Sequence, residues 1–224
     1  TAYCMHVLVR VAGTNEPSNS DALADAFIAG IQETVPQIEV IKLRIRDLRL
    51  DHFTLERYHP QCVREDDFCM LQERVEQAAG IVIATPIWNF SVPAHLKNII
   101  DRMGAFALDE ATRSRGQLGG KPFFLIFTGG APRIVWKTIM RFTMMHMPEA
   151  IRYYGGTVIG THFEEKCMAG KGTFGLVVDK RPESLRAVTQ RGKDFAKIVH
   201  VYADTGTLPQ GQRIRRRFFL LAQR

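Results

Sequence analysis

The sequence predicts a doubly wound α/β fold built on a five-stranded parallel sheet with helices on both faces. Apolar runs alternate five times with segments of helical periodicity, which is the element order typical of such a sheet. Two of these runs, GIVIA at 80–84 and FFLIF at 123–127, are continuously apolar, as expected of strands buried on both faces. The 224 residues suffice for one domain with a sizeable core.

Each strand is predicted from one short apolar run. The first run, YCMHVLVRVA, spans 3–12. The other predicted strands cover 38–43, 80–84, 123–127 and 157–161. We expect the strand order 2-1-3-4-5, in which right-handed crossovers bring the strand-to-helix loops to one edge of the sheet.

The predicted helices lie between these strands, and each buries an apolar face. Residues 19–33, for example, place Leu23, Phe27 and Ile31 on one side. The other helices are expected over 66–79, 93–103, 132–154 and 183–203. Pro148 is expected to interrupt the helix over 132–154, because proline cannot donate a backbone hydrogen bond.

We expect one domain over residues 1–207, followed by a basic tail over 208–224. Three irregular stretches, about 44–65, 104–121 and 163–181, are predicted to be surface insertions. Five arginines of the tail supply five of the seven positive charges in the formal net charge of +7, which leaves only +2 for the rest of the chain. The five are Arg213, Arg215, Arg216, Arg217 and Arg224. The nearly neutral domain predicts no nucleic-acid partner, and no apolar stretch predicts stable membrane insertion.

The four cysteines are Cys4, Cys62, Cys69 and Cys167, and they form neither a CxxC pair nor a dense framework. This pattern predicts reduced thiols in a cytoplasmic protein, and the N-terminal residues do not resemble a signal peptide. No metal site is expected, because Cys62, Cys69 and the nearby His59 are irregularly spaced.

The loop after the first strand, AGTNEPSNSDAL at 12–23, is the first candidate for a ligand site. Gly13 permits a tight turn, and polar groups come from Thr14, Ser18, Asn19 and Ser20. The following helix N-terminus suits a phosphate, although a serine that merely caps this helix explains the same residues equally well. Glu16 must point away from such a site, because its charge would repel an anion.

Two further loops carry unusual residues after the third and fourth strands. Trp88 and Phe90 could stack beside a planar ring, whereas packing at the sheet edge or a subunit contact is the alternative. TGGAP at 128–132 holds two glycines that allow close backbone approach. All three loops flank the point where the strand order reverses, so the sequence predicts one shared site there.

The stretch PIWNFSVPAHLKNIIDRM at 86–103 resembles the signature of the flavodoxin-fold FMN-dependent reductases. This group includes NAD(P)H quinone reductases, azoreductases and NAD(P)H-dependent FMN reductases. Other stretches similar to that group are DDF at 66–68, GIVIATP at 80–86, LGGKPFFLIFTGG at 118–130 and the first-loop residues Gly13, Thr14 and Ser18. The resemblance covers roughly residues 5–162.

The resemblance implies an FMN site whose phosphate would be held by Thr14, Ser18, Asn19 and Ser20. The ribityl chain and ring would contact Pro86, Ile87, Trp88, Asn89 and Phe90, and the other ring edge would be lined by Thr128, Gly129 and Gly130. It further implies NADPH or NADH as the hydride donor and a quinone, azo compound, flavin or similar acceptor. A homo-oligomer, either a dimer or a tetramer, is also expected. No catalytic side chain is assigned, because the flavin carries the redox chemistry.

Two other functions remain open from the sequence. An FMN electron carrier would need a protein partner, but a near-neutral domain does not predict the acidic docking face of such carriers. An interaction protein that has lost FMN is supported by Glu16 alone. No iron–sulfur cluster is expected, and GKGTFG at 170–175 predicts a glycine-rich hairpin, because LVVDK follows it where a dinucleotide motif would open a helix.

Overall fold

The structure, a computed structural model, describes residues 6–59 and 66–214. Its sheet of five parallel strands has the order β2-β1-β3-β4-β5, which confirms the predicted flavodoxin-like order. The strands are β1 His6–Val11, β2 Glu39–Arg44, β3 Gly80–Pro86, β4 Pro122–Thr128 and β5 Thr157–Glu164. The first residues of the predicted strand at 3–12, the thiols of Cys4 and Cys62 and the tail from 215 onward lie outside the described residues.

Helices pack on both faces of this sheet. In chain order they are α1 Asn19–Thr34, α2 Phe68–Gln77, α3 Ala94–Ala107, α4 Arg133–Val135, α5 Arg141–Thr143, α6 His146–Tyr153 and α7 Pro182–Thr205. A π-helical turn, Trp136–Met140, joins α4 to α5. None of the helices in the described part of the chain combines the length and the hydropathy of a membrane span.

The core consists of two layers, because the central strands are buried on both faces. On one face, Leu8 of β1 packs in a cluster with Leu96 of α3. On the other face, Val9 packs with Phe27 of α1 and Phe195 of α7, whose ring centroids lie 5.6 Å apart. This burial on two sides explains why the strand sequences are continuously apolar.

A charged side chain, Arg10, lies fully inside the core at the middle of β1. Its Nη1 donates to the Sδ of Met103 at 3.6 Å, and its Nε and Nη2 have no hydrogen-bond partner in the structure. Burial lowers the pKa of the guanidinium to about 10, so the group stays charged at neutral pH. An unpaired buried charge opposes folding.

Two glycines allow α1 and α7 to approach each other closely. A Cβ on Gly30 would lie 2.0 Å from the carbonyl oxygen of Thr189, and one on Gly192 would lie 2.1 Å from that of Phe27. No larger side chain therefore fits at either position. The contact fixes the helix that follows β1 against α7.

Two helical regions differ from their predicted bounds. The helix predicted to end at 103 continues to Ala107, so the start of the expected 104–121 insertion is helical. The predicted break at Pro148 is wrong in position, because the α-helical hydrogen-bond pattern is interrupted at Met144 and Met145, before α6, where the N–H of Met145 donates to the carbonyl oxygen of Phe142 three residues earlier. Pro148 is the third residue of α6, where a backbone N–H has no intrahelical acceptor, so proline is tolerated.

Residues 44–59 are held on α3 by buried polar contacts. The side chain of Asn98 donates to the carbonyl oxygen of Asp51 at 2.9 Å. Arg102 donates to the same carbonyl at 3.1 Å and forms a buried ion pair with Asp66. Burial raises the pKa of the Asp66 carboxyl, but Arg102 and backbone hydrogen bonds outweigh burial and hold the pKa below its ordinary value.

Candidate functional site

The loop after β1 places two buried serine hydroxyls against the backbone of Gly13. The Oγ atoms of Ser18 and Ser20 lie 2.9 Å apart. A Cβ on Gly13 would lie 2.3 Å from the Oγ of Ser18 and 2.5 Å from that of Ser20. Glycine is therefore required for this arrangement of the hydroxyls.

The first backbone N–H groups of α1 are available to bind an anion. Ser18 occupies the N-cap position, but its side chain makes no capping hydrogen bond. Among the hydrogen bonds of the described residues, none uses the backbone N–H of Ser18, Asn19 or Ser20. Simple capping thus does not explain Ser18, and the helix N-terminus presents free donors and its positive dipole end.

The acidic side chains near this loop are paired with cations from β2 and the turn that follows it. Glu16 forms an ion pair with Arg46. Asp21 forms ion pairs with Lys42 at 2.7 Å and Arg44 at 2.8 Å. Burial raises the pKa of the Asp21 carboxyl, but hydrogen bonds and charges of Arg44 and Lys42 outweigh it and hold the pKa below its ordinary value. Glu16 therefore presents no unpaired charge to an anion at the loop.

The chain after β3 makes a tight turn that projects two aromatic side chains. Backbone hydrogen bonds of 2.8 and 2.9 Å join Trp88 and Ser91 in both directions. Between them, Asn89 has a φ of 50° and Phe90 a φ of 62°, which is typical of a type I′ turn. A phenylalanine in this left-handed conformation costs about 1 kcal/mol, so the exposed ring of Phe90 is retained at the expense of backbone strain.

The loop after β4 forms the opposite wall. The N–H of Gly129 donates to the carbonyl oxygen of Glu164 at 3.0 Å, and the carbonyl oxygen of Gly129 accepts from the N–H of Cys167 at 2.9 Å. A Cβ on Gly130 would lie 2.6 Å from the Sδ of Met168. The two glycines, which were predicted to allow a ligand to approach the backbone closely, therefore also allow close approach of the segment that follows β5.

We call residues 165–181, between β5 and α7, the strap. The side chain of Asn19 holds the strap by its backbone: Nδ2 donates to the carbonyl oxygen of Gly175 at 2.8 Å. The Oδ1 of Asn19 accepts from the N–H groups of Val177 at 2.9 Å and Val178 at 3.2 Å. The side chain that was expected to hold a phosphate thus binds the strap, while its backbone N–H remains free.

The tip of the strap, GKGTFG at 170–175, is a tight antiparallel turn. The N–H of Ala169 donates to the carbonyl oxygen of Thr173 at 3.1 Å, and a short 3-10 turn, Val178–Lys180, comes next instead of an α-helix. This geometry confirms the glycine-rich hairpin that the sequence predicts. Beside the turn, the ring of Phe174 stacks on that of Trp88, with centroids 6.0 Å apart and planes at 25°.

A buried carboxylate, Glu164, ties both ends of the strap to the sheet. It accepts hydrogen bonds from His162 at 3.1 Å, Arg181 at 3.0 Å and Ser184 at 2.9 Å. Arg181 also donates to two carbonyl oxygens at the start of the strap, at 2.6 and 2.9 Å. Burial raises the pKa of Glu164, but these hydrogen bonds outweigh burial and hold the pKa below its ordinary value.

The three loops and the strap enclose one cleft at the carboxyl edge of the sheet. The predicted site residues that line it are Ser18, Asn19, Ser20, Pro86, Ile87, Trp88, Thr128, Gly129 and Gly130. Thr14, Asn89 and Phe90 lie outside this lining; the carbonyl oxygen of Thr14 instead accepts from Arg46 at 3.4 Å. The structure therefore brings together residues from all three predicted loops.

Sequence reasoning missed five residues that also line this cleft: Asn15, Cys167, Met168, Phe174 and Gly175. Four of them belong to the strap, which the sequence indicates only as an insertion. The signal that could have identified it is an apolar ring, Phe174, placed directly beside a glycine turn. Asn15 lies within the predicted first loop and needed no new signal.

The cysteines differ in state. Cys69 is disulfide-bonded, so the expectation of a reduced thiol is wrong at this position. Sequence spacing does not report which cysteines meet in space, which explains the error. Cys167 is free, and burial raises the pKa of its thiol to about 12. Within the described ranges, no group of three or more His, Cys, Asp or Glu side chains could hold a metal ion.

Comparisons with known proteins relate this chain to flavoproteins. The family model for NADPH-dependent FMN reductase matches residues 5–155. An iron-sulfur flavoprotein of Archaeoglobus fulgidus is 26% identical over 147 residues, which cover 63% of this chain and 70% of that protein. FMN-dependent NAD(P)H:quinone oxidoreductase 1 of Pseudomonas aeruginosa is 30% identical over 141 residues, covering 54% of this chain and 66% of that protein.

A solved structure supports the same fold. The NAD(P)H:quinone oxidoreductase from Methanothermobacter marburgensis superimposes with a TM-score of 0.66 at 18% sequence identity. The superposition covers 85% of this chain and 96% of that chain. At this identity, the likeness shows a shared fold.

Proposed function

Because the chain belongs to the NADPH-dependent FMN reductase family, we propose that it is an NAD(P)H oxidoreductase that uses FMN to reduce quinones, azo compounds, flavins or similar small acceptors. The observation that carries this proposal is the cleft in which free N–H donors and serine hydroxyls lie beside an aromatic rim. Bound FMN would accept a hydride from NADPH or NADH and pass two electrons to the acceptor. We assign no side chain as an acid or a base.

The phosphate of FMN fits the loop after β1. The hydroxyls of Ser18 and Ser20 and the free N–H groups at the start of α1 supply hydrogen-bond donors. Asn19 contributes its backbone N–H, because its side chain binds the strap. The ion pair between Glu16 and Arg46 removes the repulsion that an unpaired carboxylate would cause.

In this proposal, the flavin ring would lie between the turn after β3 and the loop after β4. Pro86, Ile87 and Trp88 supply the apolar wall on one side. Thr128 and the following glycines line the other, and a backbone hydrogen bond of 2.8 Å from Ile87 to the carbonyl oxygen of Thr128 fixes the two walls together. Asn89 and Phe90 would reach the ring only from the rim.

We propose a homo-oligomer in the cytoplasm. Support for a subunit contact comes from Ile134, Ile139 and Phe142, which are exposed on the helical segment that follows the loop after β4. Apolar surface of this kind commonly marks protein contacts. Light scattering of the purified protein checks the assembly, and a monomer at micromolar concentration would contradict it.

A titration of the purified protein with FMN and with riboflavin tests the cofactor. We expect tighter binding of FMN, because only FMN carries the phosphate. Ser18→Asp should weaken FMN binding by at least tenfold, since it adds a negative charge at the phosphate, and should leave the affinity for riboflavin nearly unchanged. A protein that binds neither compound, or a variant that loses both equally, would contradict the proposed site.

Anaerobic mixing with NADPH or NADH separates a reductase from an electron carrier. The reductase should bleach the flavin absorbance at 450 nm within seconds, roughly the turnover scale of such enzymes. A carrier should stay yellow until a protein donor is added. The strap favours the reductase, because it covers part of the cleft that a protein partner would have to reach.

A further inference from the structure

A second cavity, of about 360 Å³, lies at the amino edge of the sheet, opposite the cleft. Its volume is within the range of sites for small molecules. The end of α2, α3, α7 and the residues before β4 all contribute to its lining, which includes Glu76, Phe106, residues 117–119, Lys121 and Tyr202. None of these residues lines the cleft that we propose to bind FMN, so the two cavities are separate.

The cavity is lined by a buried amine, that of Lys121, which is only 6% exposed. The Nζ atom donates to the carbonyl oxygens of Val75 and Glu76, the second at 2.9 Å. These carbonyls belong to the last turn of α2, which ends at Gln77, so they have no acceptor role within the helix. Lys121 therefore caps the C-terminal end of α2.

This capping leaves one position on the nitrogen of Lys121 unused. An ammonium group has three N–H donors, and the two carbonyls of α2 occupy two of them. Among the described residues, no hydrogen bond uses the third. A neutral amine keeps both bonds to α2, and its lone pair then takes the third position. The helix thus orients a nucleophile from which a molecule in the cavity can be attacked.

The charged and titratable groups around Lys121 favour its neutral form. Burial lowers the pKa of its amine to about 8, against a smaller opposing effect of the Glu76 carboxylate. Burial also lowers the pKa of His6, the nearby histidine of β1, and α7 contributes the hydroxyl of Tyr202 to the lining. At pH 7 about a tenth of the Lys121 amines are neutral, a few hundred times the share at the ordinary pKa of 10.5.

We propose that Lys121 is a modification site at which small acyl phosphates acylate the amine within this cavity, independently of the proposed flavin site. The nitrogen attacks the acyl carbon, a C–N bond forms, and the C–O bond to phosphate breaks. Phosphate leaves with the electron pair, and the surplus proton of the nitrogen passes to solvent. The backbone N–H of Gly119, which no hydrogen bond of the described residues uses, can donate to the acyl oxygen.

Incubation of the full chain with acetyl phosphate at pH 7.5 tests the proposal, with mass spectrometry to measure acetylation at each lysine. Lys137 is the internal control, because it is exposed on the π-helical turn and outside the cavity. Lys121 should be acetylated at least ten times faster than Lys137, although Lys137 is more accessible. Equal rates, or a faster rate at Lys137, would overturn the proposal.

The same measurement in denaturing urea and at several pH values separates the effect of the fold from that of the local sequence. The preference for Lys121 should disappear in urea, because unfolding removes both the burial and the contact with α2. In the folded chain, the rate at Lys121 should level off above about pH 8. A preference that persists in urea, or a rate that still rises tenfold between pH 8 and pH 9, would contradict activation by the fold.

Two substitutions on α2 provide a matched pair. Glu76→Gln removes the carboxylate that raises the pKa of Lys121, and should increase the rate of acetylation about twofold at pH 7. Glu73→Gln removes an equally exposed charge of the same helix that does not line the cavity, and should leave the rate unchanged. Equal rates in the two variants would show that the cavity does not control the amine, and would overturn the proposal.

Discussion

The side-chain amide of Asn19, the first residue of α1, donates to the carbonyl oxygen of Gly175, which lies 156 residues further along the chain, at 2.8 Å. The same side chain accepts hydrogen bonds from Val177 and Val178. One asparagine therefore joins the N-terminal end of α1 to the strap. Changes at this residue should affect both.

Asn19→Leu keeps the size of the side chain and removes its hydrogen bonds to the strap. A net contribution of about 0.5–1.5 kcal/mol for each of the three bonds predicts a loss of about 1.5–4.5 kcal/mol in the free energy of unfolding, measured by urea denaturation. Trypsin should also cut the strap faster. Asn15→Leu is the control, because its side chain makes an exposed bond to the carbonyl oxygen of Pro17. Equal losses in the two variants would contradict the anchoring role.

Gly13→Ala should disrupt the loop that we propose to bind the FMN phosphate. The added Cβ would lie 2.3 Å from the Oγ of Ser18, so one of the two serine side chains must move. We expect FMN affinity, measured by quenching of flavin fluorescence, to fall by at least tenfold, or about 1.4 kcal/mol or more. Gly211→Ala, where a Cβ would meet nothing within 4 Å, should bind FMN normally. Unchanged affinity in the Gly13 variant would place the phosphate elsewhere.

Two buried arginines should respond to replacement with opposite signs. Arg10→Met removes a guanidinium that has no charged partner among its hydrogen bonds, and should raise the free energy of unfolding by about 1–3 kcal/mol. Arg102→Met leaves the buried carboxylate of Asp66 without its main partner, and should lower the free energy of unfolding by about 3–5 kcal/mol. Guanidinium chloride denaturation at pH 7 measures both. Destabilisation by Arg10→Met would mean that its charge is compensated in the fold.

The stability that Glu164 contributes should depend on pH. Because hydrogen bonds hold the pKa of this carboxyl below its ordinary value of 4.5, folding favours the charged form. Its contribution is therefore complete above pH 4.5 and is lost as the pH falls through the lower pKa of the folded state. Glu164→Gln should lower the free energy of unfolding by about 2–4 kcal/mol at pH 7.

Urea denaturation of this variant and the wild type between pH 7 and pH 3 provides the measurement. The difference between the two proteins should shrink steadily below pH 4.5. A difference that stays constant over this range would show that the charge of Glu164 does not stabilise the fold. Glu165→Gln, at the more exposed neighbouring residue, should change stability far less at any pH.

The sheet could be predicted because each strand is a local pattern. The continuous runs at 80–84 and 123–127 fall within β3 and β4, and the strand order follows from crossovers of one hand. The break near α6 was misplaced because a proline in the first helical turn leaves no hydrogen bond broken. Sequence pattern identifies helices better than it identifies their ends.

The contacts that assemble the cleft could not be predicted, because they join residues far apart in the chain. In the sequence, the charge of Glu16 argued against an anion site in the first loop. Its ion pair with Arg46, 30 residues away, becomes visible only in the fold. Phe174 was likewise assigned to an insertion, because periodicity carries no information on which aromatic ring it meets. The three loops after β1, β3 and β4 were predictable, since topology alone brings them to one edge.

The glycine contact between α1 and α7 couples the two ends of the cleft rigidly. α1 begins at the serine loop, and α7 begins where the strap ends. The backbone at Gly30 lies directly against the carbonyl of Thr189, with no side chain between them to absorb a displacement. Binding of an anion at Ser18 should therefore slow amide hydrogen exchange in the first turns of α7, although the described lining of the cleft includes no residue of that helix.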